Sequence, residues 1–165
     1  MLITLLQSDP DSAIQSITVM DVALRVGLAA AMGSIVGFER KIADKPVDAR
    51  TMALISAGAA GFTLMGVEIA SQSQLGHNLQ IDPTRVLSYI ISGIGFLGAG
   101  AILHSKRGIT GLTTAASIWT SAGIGAACGL GLYTIALALF IVVVCALWVP
   151  WVGQLKKNQS FEGGD

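Results

Sequence analysis

The chain has 165 residues, 53% apolar and 12% charged, with 20 glycines, zero net charge and a mean hydropathy of +0.70. Soluble domains carry about 25% charged residues, so half that share describes one polytopic membrane domain. A neutral chain lacks the basic surface that phosphate-backbone binding needs, which excludes a nucleic-acid partner.

Residues 1–20 open apolar, Leu2 to Leu6, then turn polar with Asp9, Pro10 and Asp11, and no lysine or arginine precedes Arg25. Without a positive n-region a cleaved signal peptide is not expected. These residues read as an external N-terminal segment. A five-helix transmembrane domain follows over residues 21–151, with a short cytoplasmic tail over 152–165.

The first span is expected over 22–38. Asp21 and Arg25 sit four apart at its start, where they can pair as an interfacial salt bridge. Gly33 and Gly37, four apart, form a close-packing face that Gly27 and Ala31 continue. A polar hairpin, ERKIADKPVDAR, leads into a second span over 51–67, with Ser56, Ala57, Gly58, Ala60 and Gly61 as its small-residue face and Glu68 as its end. The loop SQSQLGHNLQID carries no lysine or arginine and closes at Pro83.

Residues 86–103 give 18 positions without a charge, about 27 Å of helix, enough to cross a bilayer core. After the polar turn at Lys106 and Arg107 comes the fourth span, 113–129. This hairpin is dense in glycine: Gly93, Gly95, Gly98 and Gly100, then Gly108, Gly111, Gly123 and Gly125. In water so many glycines would unravel a helix. In a bilayer the backbone must stay hydrogen-bonded to itself, and Gly lets helices approach closely. The hairpin therefore reads as the organising element, built for close packing. A fifth span, 132–149, ends in Trp148, Pro150 and Trp151, an interfacial aromatic belt. SGIGFLGAG (Ser92–Gly100) is echoed by SAGIGAACGLG (Ser121–Gly131), which reads as shared packing rather than an inverted repeat.

Orientation follows from lysine and arginine. The loops after spans one, three and five carry four, two and two, while the other side holds Arg85 and, just inside the first span, Arg25. The N-terminus is thus expected outside and the C-terminus in the cytoplasm.

Nothing in this pattern supports catalysis. His77 and His104 fall on opposite sides, and no acid lies in the middle of a span, so a nucleophile would have no base within reach. Cys128 and Cys145 both lie in apolar runs and read as small packing residues. No cofactor is expected. On the outer side Asp21, Glu68 and Asp82 are weak candidates for an external cation site, but Arg25 and Arg85 lie close enough to make ion-paired helix ends the simpler reading. Asp82 before Pro83 also reads as a helix N-cap for the Thr84 or Arg85 amide. On the inner side Glu39, Arg40, Arg50, Lys106 and Arg107 converge with Thr110, Thr113 and Thr114 at the start of the fourth span. That positive helix end can hold an anion or lipid phosphate, or the cluster is ordinary positive-inside charge, with a Glu39–Arg50 pair closing the first hairpin.

DPTR at Asp82–Arg85, SGIGFLGAG at Ser92–Gly100 and GLTTAASIW at Gly111–Trp119, in this order and spacing, resemble the MgtC/SapB family of bacterial inner-membrane proteins. GFER at Gly37–Arg40, KP at Lys45–Pro46 and ART at Ala49–Thr51 look like that family's first cytoplasmic loop, although Asp48 stands where Gly is usual. Longer members carry a soluble C-terminal domain after the fifth helix, and the chain resembles a short form without it. The resemblance implies a role in magnesium homeostasis, growth at low Mg²⁺ and virulence-type survival inside host cells. It implies regulation of other membrane machinery, ATP synthase among it, more than ion carriage. The small-residue faces add an expectation of self-association, a dimer first. The alternative is an ion channel or transporter with its pore at an oligomer interface.

Overall fold

A computed structural model describes residues 17–74, 82, 84–105 and 108–162, and within them the side chains outside 72–74, 103–105 and 149–162. It contains five helices and one small hairpin: α1 (Val19–Ile42), α2 (Ala49–Gln74), α3 (Thr84–Gly100), β1 (Leu103–Ser105), β2 (Gly108–Thr110), α4 (Leu112–Gly129) and α5 (Tyr133–Glu162). Helices α1 and α2 are long and apolar enough to cross a membrane, and Tyr133–Trp148 of α5 is a shorter apolar helix. Residues 1–16, Lys106, Arg107 and His77 lie outside the described residues.

The helix ends depart from the expected ones for local reasons. A capping box starts α1 early: the Thr18 hydroxyl accepts from the Asp21 amide and the Asp21 carboxylate accepts from the Thr18 amide, both at 3.3 Å. Helix α2 runs past Glu68 because neither Gly nor Pro follows before Gln74. Helix α3 stops at Gly100, where the chain tightens (Ile102 N–H to Ala99 O, 3.1 Å) into an antiparallel ribbon pairing His104 with Ile109. The expected polar turn is thus a β-hairpin. Helix α5 continues past Pro150, whose missing N–H removes one backbone bond.

The centre is α1, α2 and α4, with α5 packed on α4 and α1, and α3 on the periphery against α4 and one end of α2. Ala29 and Met32 of α1, Ala60 of α2, and Ile124, Ala127 and Cys128 of α4 form one buried cluster with Ala136 of α5. Glycines bring the three central helices together. A methyl group on Gly33 would stand 2.6 Å from the Met52 carbonyl oxygen, and one on Gly129 would stand 2.6 Å from that of Ala60. On Gly125 it would land on the Ser56 carbonyl oxygen, and on Gly37 on the Asp48 carbonyl. Backbone touches backbone at four levels.

The same residue type does something else on α3. Gly98 is buried against Ala115, 3.6 Å from its carbonyl oxygen to the position of a methyl, but Gly93, Gly95 and Gly100 have nothing within 4 Å. Within the chain only Gly98 of the four α3 glycines makes a close contact, because α3 lies at the edge of the bundle. Gly27, Gly58 and Gly61 are likewise no part of a close contact, and Gly123 meets only Leu139 at 3.8 Å. The organising element is the α1–α2–α4 junction, with α4 belonging to it and α3 outside it.

Candidate functional site

The α1–α2 connection, the β-hairpin and the first turn of α4 meet at one end of the bundle around a polar cavity of about 870 Å³. Helix α1 closes with the Ala43 amide donating to the Glu39 carbonyl, and Asp44 takes a left-handed turn at φ 54°. This folds Lys45 back so that its amide donates to the Arg40 carbonyl at 3.0 Å, placing both residues on the cavity wall. Arg40 is buried, and its guanidinium makes a two-pronged pair with the neighbouring Glu39: Nε to Oε2 at 2.5 Å and Nη2 to Oε1 at 2.7 Å. Pairing makes the burial affordable, since an unpaired guanidinium there would be costly.

The expected Glu39–Arg50 bond is therefore replaced. Glu39 is taken by Arg40, which also turns into the cavity, while Arg50 lies exposed in the first turn of α2. Asp48 explains that turn. Its carboxylate accepts from the Thr51 amide and hydroxyl, both at 2.9 Å, and these bonds hold its carboxyl below the usual value. Asp and Thr three apart before an apolar run was the available signal for this cap.

Helix α4 contributes the far wall. Its N-cap, Gly111, sits at φ 88° with no side-chain capping bond, and a methyl there would strike the Ala101 carbonyl oxygen, so only glycine fits. The first helical bond runs from the Ala115 amide to the Gly111 carbonyl. Upstream amides at Leu112, Thr113 and Thr114 thus point toward the cavity end without an intrahelical acceptor. Thr113 is exposed and Thr114 is 2% exposed; both line the cavity with Thr110. Of the inner cluster expected from sequence, the structure brings together Glu39, Arg40, Thr110, Thr113 and Thr114, adds Asp44 and Lys45, and leaves Arg50 outside. Lys106 and Arg107 lie outside the described residues.

From this cavity a row of buried hydroxyls enters the core: Thr114, Ser117 and Ser121 on α4, with Ser56 of α2 donating to the Ser121 carbonyl at 2.9 Å. The Ser121 hydroxyl has no hydrogen-bond partner among the described residues. At the opposite end Arg25 does not pair with Asp21, which its cap has claimed. Its Nη1 instead donates to the Gly129 carbonyl at 2.9 Å, where α4 ends. There the Leu132 amide reaches the Ala127 carbonyl and the Gly131 amide that of Cys128, with Gly131 left-handed at φ 74°. A cation on the last carbonyls of a helix is favoured by their partial negative charge. The Gly131 turn was the sequence signal for that helix end; its arginine, more than a hundred residues away, had none.

The outer acids do not assemble. Asp82 caps α3 as expected, accepting from the Thr84 amide at 2.9 Å and hydroxyl at 2.7 Å, which holds its carboxyl below the usual value. Arg85 is exposed beside it. The Glu68 carbonyl accepts the Ser71 hydroxyl. Among the described residues no group of three His, Cys, Asp or Glu side chains is placed to hold a metal, so Asp21, Glu68 and Asp82 do not form the external cation site considered from sequence. Cys128 is buried in the core and Cys145 is exposed, both free thiols.

The MgtC family matches residues 26–153, which takes in the polar cavity and the end of α4. The chain belongs to the MgtC family. Family membership makes it a membrane protein, in keeping with its apolar helices. It is 43% identical to an uncharacterized protein of Haemophilus influenzae over 136 residues, 81% of this chain and 57% of that protein. It is 37% identical to Protein SapB of Bacillus subtilis over 134 residues, 80% of this chain and 58% of that protein. It is 42% identical to Protein MgtC of Salmonella typhimurium over 123 residues, 73% of this chain and 49% of that protein. The chain thus spans about half the length of the relatives it matches. No solved structure matches it.

Proposed function

We propose that this protein is a multi-pass accessory protein of the bacterial inner membrane, tied to magnesium homeostasis and adaptation to low Mg²⁺, that regulates other membrane proteins through contacts within the bilayer. Five spans, the N-terminus outside and the C-terminus in the cytoplasm satisfy the lysine and arginine distribution. The observation that carries the regulatory reading is the sealed centre. Where Gly33, Gly125 and Gly129 meet α2, no methyl group fits, so no water-filled path fits either. Transport through one protomer would need such a path, whereas a partner helix needs only an open face. ATP synthase is the partner the family resemblance points to, and stress survival in a host is the setting.

A second reading rests on a different observation. Gly93, Gly95 and Gly100 of α3 have open space beside them, which suits a sister chain in a dimer and, between protomers, a pore. The two readings separate on flux. Purified protein in sealed liposomes is assayed for Mg²⁺, K⁺ and H⁺ movement with entrapped dyes. The regulator reading expects no flux above empty liposomes from folded, inserted protein. Flux of any of the three ions that is lost in Gly93→Leu would establish the interprotomer pore instead.

A further inference from the structure

Helices α2 and α3 leave an apolar groove of about 1150 Å³ between them, floored by Ile118 and Ala122 of α4. Its shape follows from where the two helices meet. A methyl on Gly66 would stand 2.7 Å from Cγ2 of Val86, so α2 and α3 touch at that end. A methyl on Gly93 would meet nothing within 4 Å, and one on Gly58 only the Phe62 ring of its own helix at 4.0 Å. The groove is therefore a wedge, closed at Gly66–Val86 and open along Gly58 and Gly93. Both rims are apolar and exposed, with Leu54, Phe62 and Met65 on α2 and Tyr89 and Leu97 on α3. Among the described residues that line it none is charged, and the Thr51 hydroxyl is engaged by the Asp48 carboxylate.

We propose that this wedge is a binding site for one acyl chain of a membrane phospholipid. Location, chemistry and shape each point to that occupant. The groove runs along α2, which is long and apolar enough to cross a membrane, so in a protein of this family its open side faces hydrocarbon. Its lining offers no charge to an ion, and water finds too few polar partners there to stay. Left empty, the walls would forfeit their dispersion contacts. A partner helix is about 10 Å across and packs at about 8 to 10 Å between axes, so it needs walls that stay apart along its length. Here the walls converge at Gly66–Val86, and a flexible chain can taper with them. The α3 wall from Val86 to Ala101 rises about 22 Å, against ~15 Å for one leaflet of a ~30 Å core, so a chain lies along it without leaving hydrocarbon. Such a chain gives Gly93 and Ile94 the packing that α2 does not. The proposal rests on membrane character and not on the regulatory reading, which its failure would leave standing.

The full chain is reconstituted at one copy per nanodisc in phosphatidylcholine that carries a diazirine midway along one acyl chain. After irradiation the labelled residues are mapped by mass spectrometry. Ile55 and Ile94 are partly buried inside the groove, whereas Leu137 and Val142 of α5 are exposed to any surrounding lipid. The expected result is labelling of both pairs. Gly93→Phe fills the groove from α3 and should abolish labelling of Ile55 and Ile94 while leaving that of Leu137 and Val142 unchanged. Gly58→Leu fills the same space from α2 and should act alike, so the result does not hang on one variant folding. Labelling confined to Leu137 and Val142, or unchanged at Ile55 and Ile94 in the filled variants, would overturn the proposal. Two copies per disc should give the same pattern; protection of Ile55 and Ile94 there would make a second copy the occupant. Loss of their labelling on adding oleate would assign the groove to a free fatty acid, and either result would likewise overturn the proposal.

Discussion

Two glycine-rich stretches of nearly the same wording meet opposite fates in this molecule. In SAGIGAACGLG on α4, Gly125 and Gly129 press against backbone of α2. In SGIGFLGAG on α3, Gly93, Gly95 and Gly100 touch nothing, and only Gly98 packs. The difference is position in the bundle. Helix α4 packs against both α1 and α2, and at Gly125 and Gly129 the missing Cβ brings its backbone onto that of α2, whereas α3 lies at the edge and leaves a groove. A run of small residues therefore licenses close approach without saying whether anything approaches. On α4 the glycines build the core; on α3 they shape a surface.

That contrast can be broken most sharply at Gly125. Gly125→Ala sets a methyl on the Ser56 carbonyl and should cost about 3 kcal/mol, as overpacking against rigid backbone does. Gly37→Ala, at the Asp48 carbonyl, should behave alike, and both are read as a lower unfolding midpoint in nanodiscs. Next in size is the Glu39–Arg40 end of the packed region. Glu39→Gln leaves the buried Arg40 guanidinium without its counter-charge and should cost about 2 to 3 kcal/mol, while Arg50→Gln, exposed, should change little. Gly131→Ala follows: its left-handed φ disfavours a side chain by about 1 to 2 kcal/mol, and it would crowd the Arg25 guanidinium at 3.4 Å. On α3, Gly93→Ala and Gly95→Ala should be neutral or slightly stabilising, since nothing is struck and helix propensity improves.

The smallest effect is on pH, and it touches both regions. Asp48 caps the packed helix α2 and Asp82 the peripheral α3, each with a folded value held below the ordinary 3.8 by bonds from Thr51 and Thr84. Such caps contribute fully above pH 3.8 and fade as pH falls through the folded value, so stability should be flat from pH 7 to 5 and drop below 4. Melting curves at pH 7, 5 and 3 check this, and the acid-side drop should shrink in Asp48→Asn.

How far the sequence reached depended on the range of each interaction. The cap at Asp82 lies within three residues of its partner and was legible as Asp-Pro-Thr. The cap at Asp48 was equally local but was hidden by the expectation of glycine there. The helix count followed from apolar runs. The Glu39–Arg40 pair was missed because adjacent residues on a helix are not expected to face each other, and both turn into the cavity only once α1 ends beside it. Arg25 was assigned to Asp21 because four residues separate them. Its actual acceptor, Gly129, is 104 residues away, reached only when the end of α4 packs beside α1. Which glycines pack is likewise a property of the assembled bundle, not of their spacing.

The central claim, that α4 glycines form the core while α3 glycines do not, is tested most directly by one paired measurement. Gly125→Ala and Gly93→Ala are purified in the same lipid nanodiscs and melted side by side with the wild-type protein. The account predicts a large fall in midpoint for Gly125→Ala and none for Gly93→Ala. Equal falls, or a larger one at Gly93, would place the tight junction on α3 and contradict it.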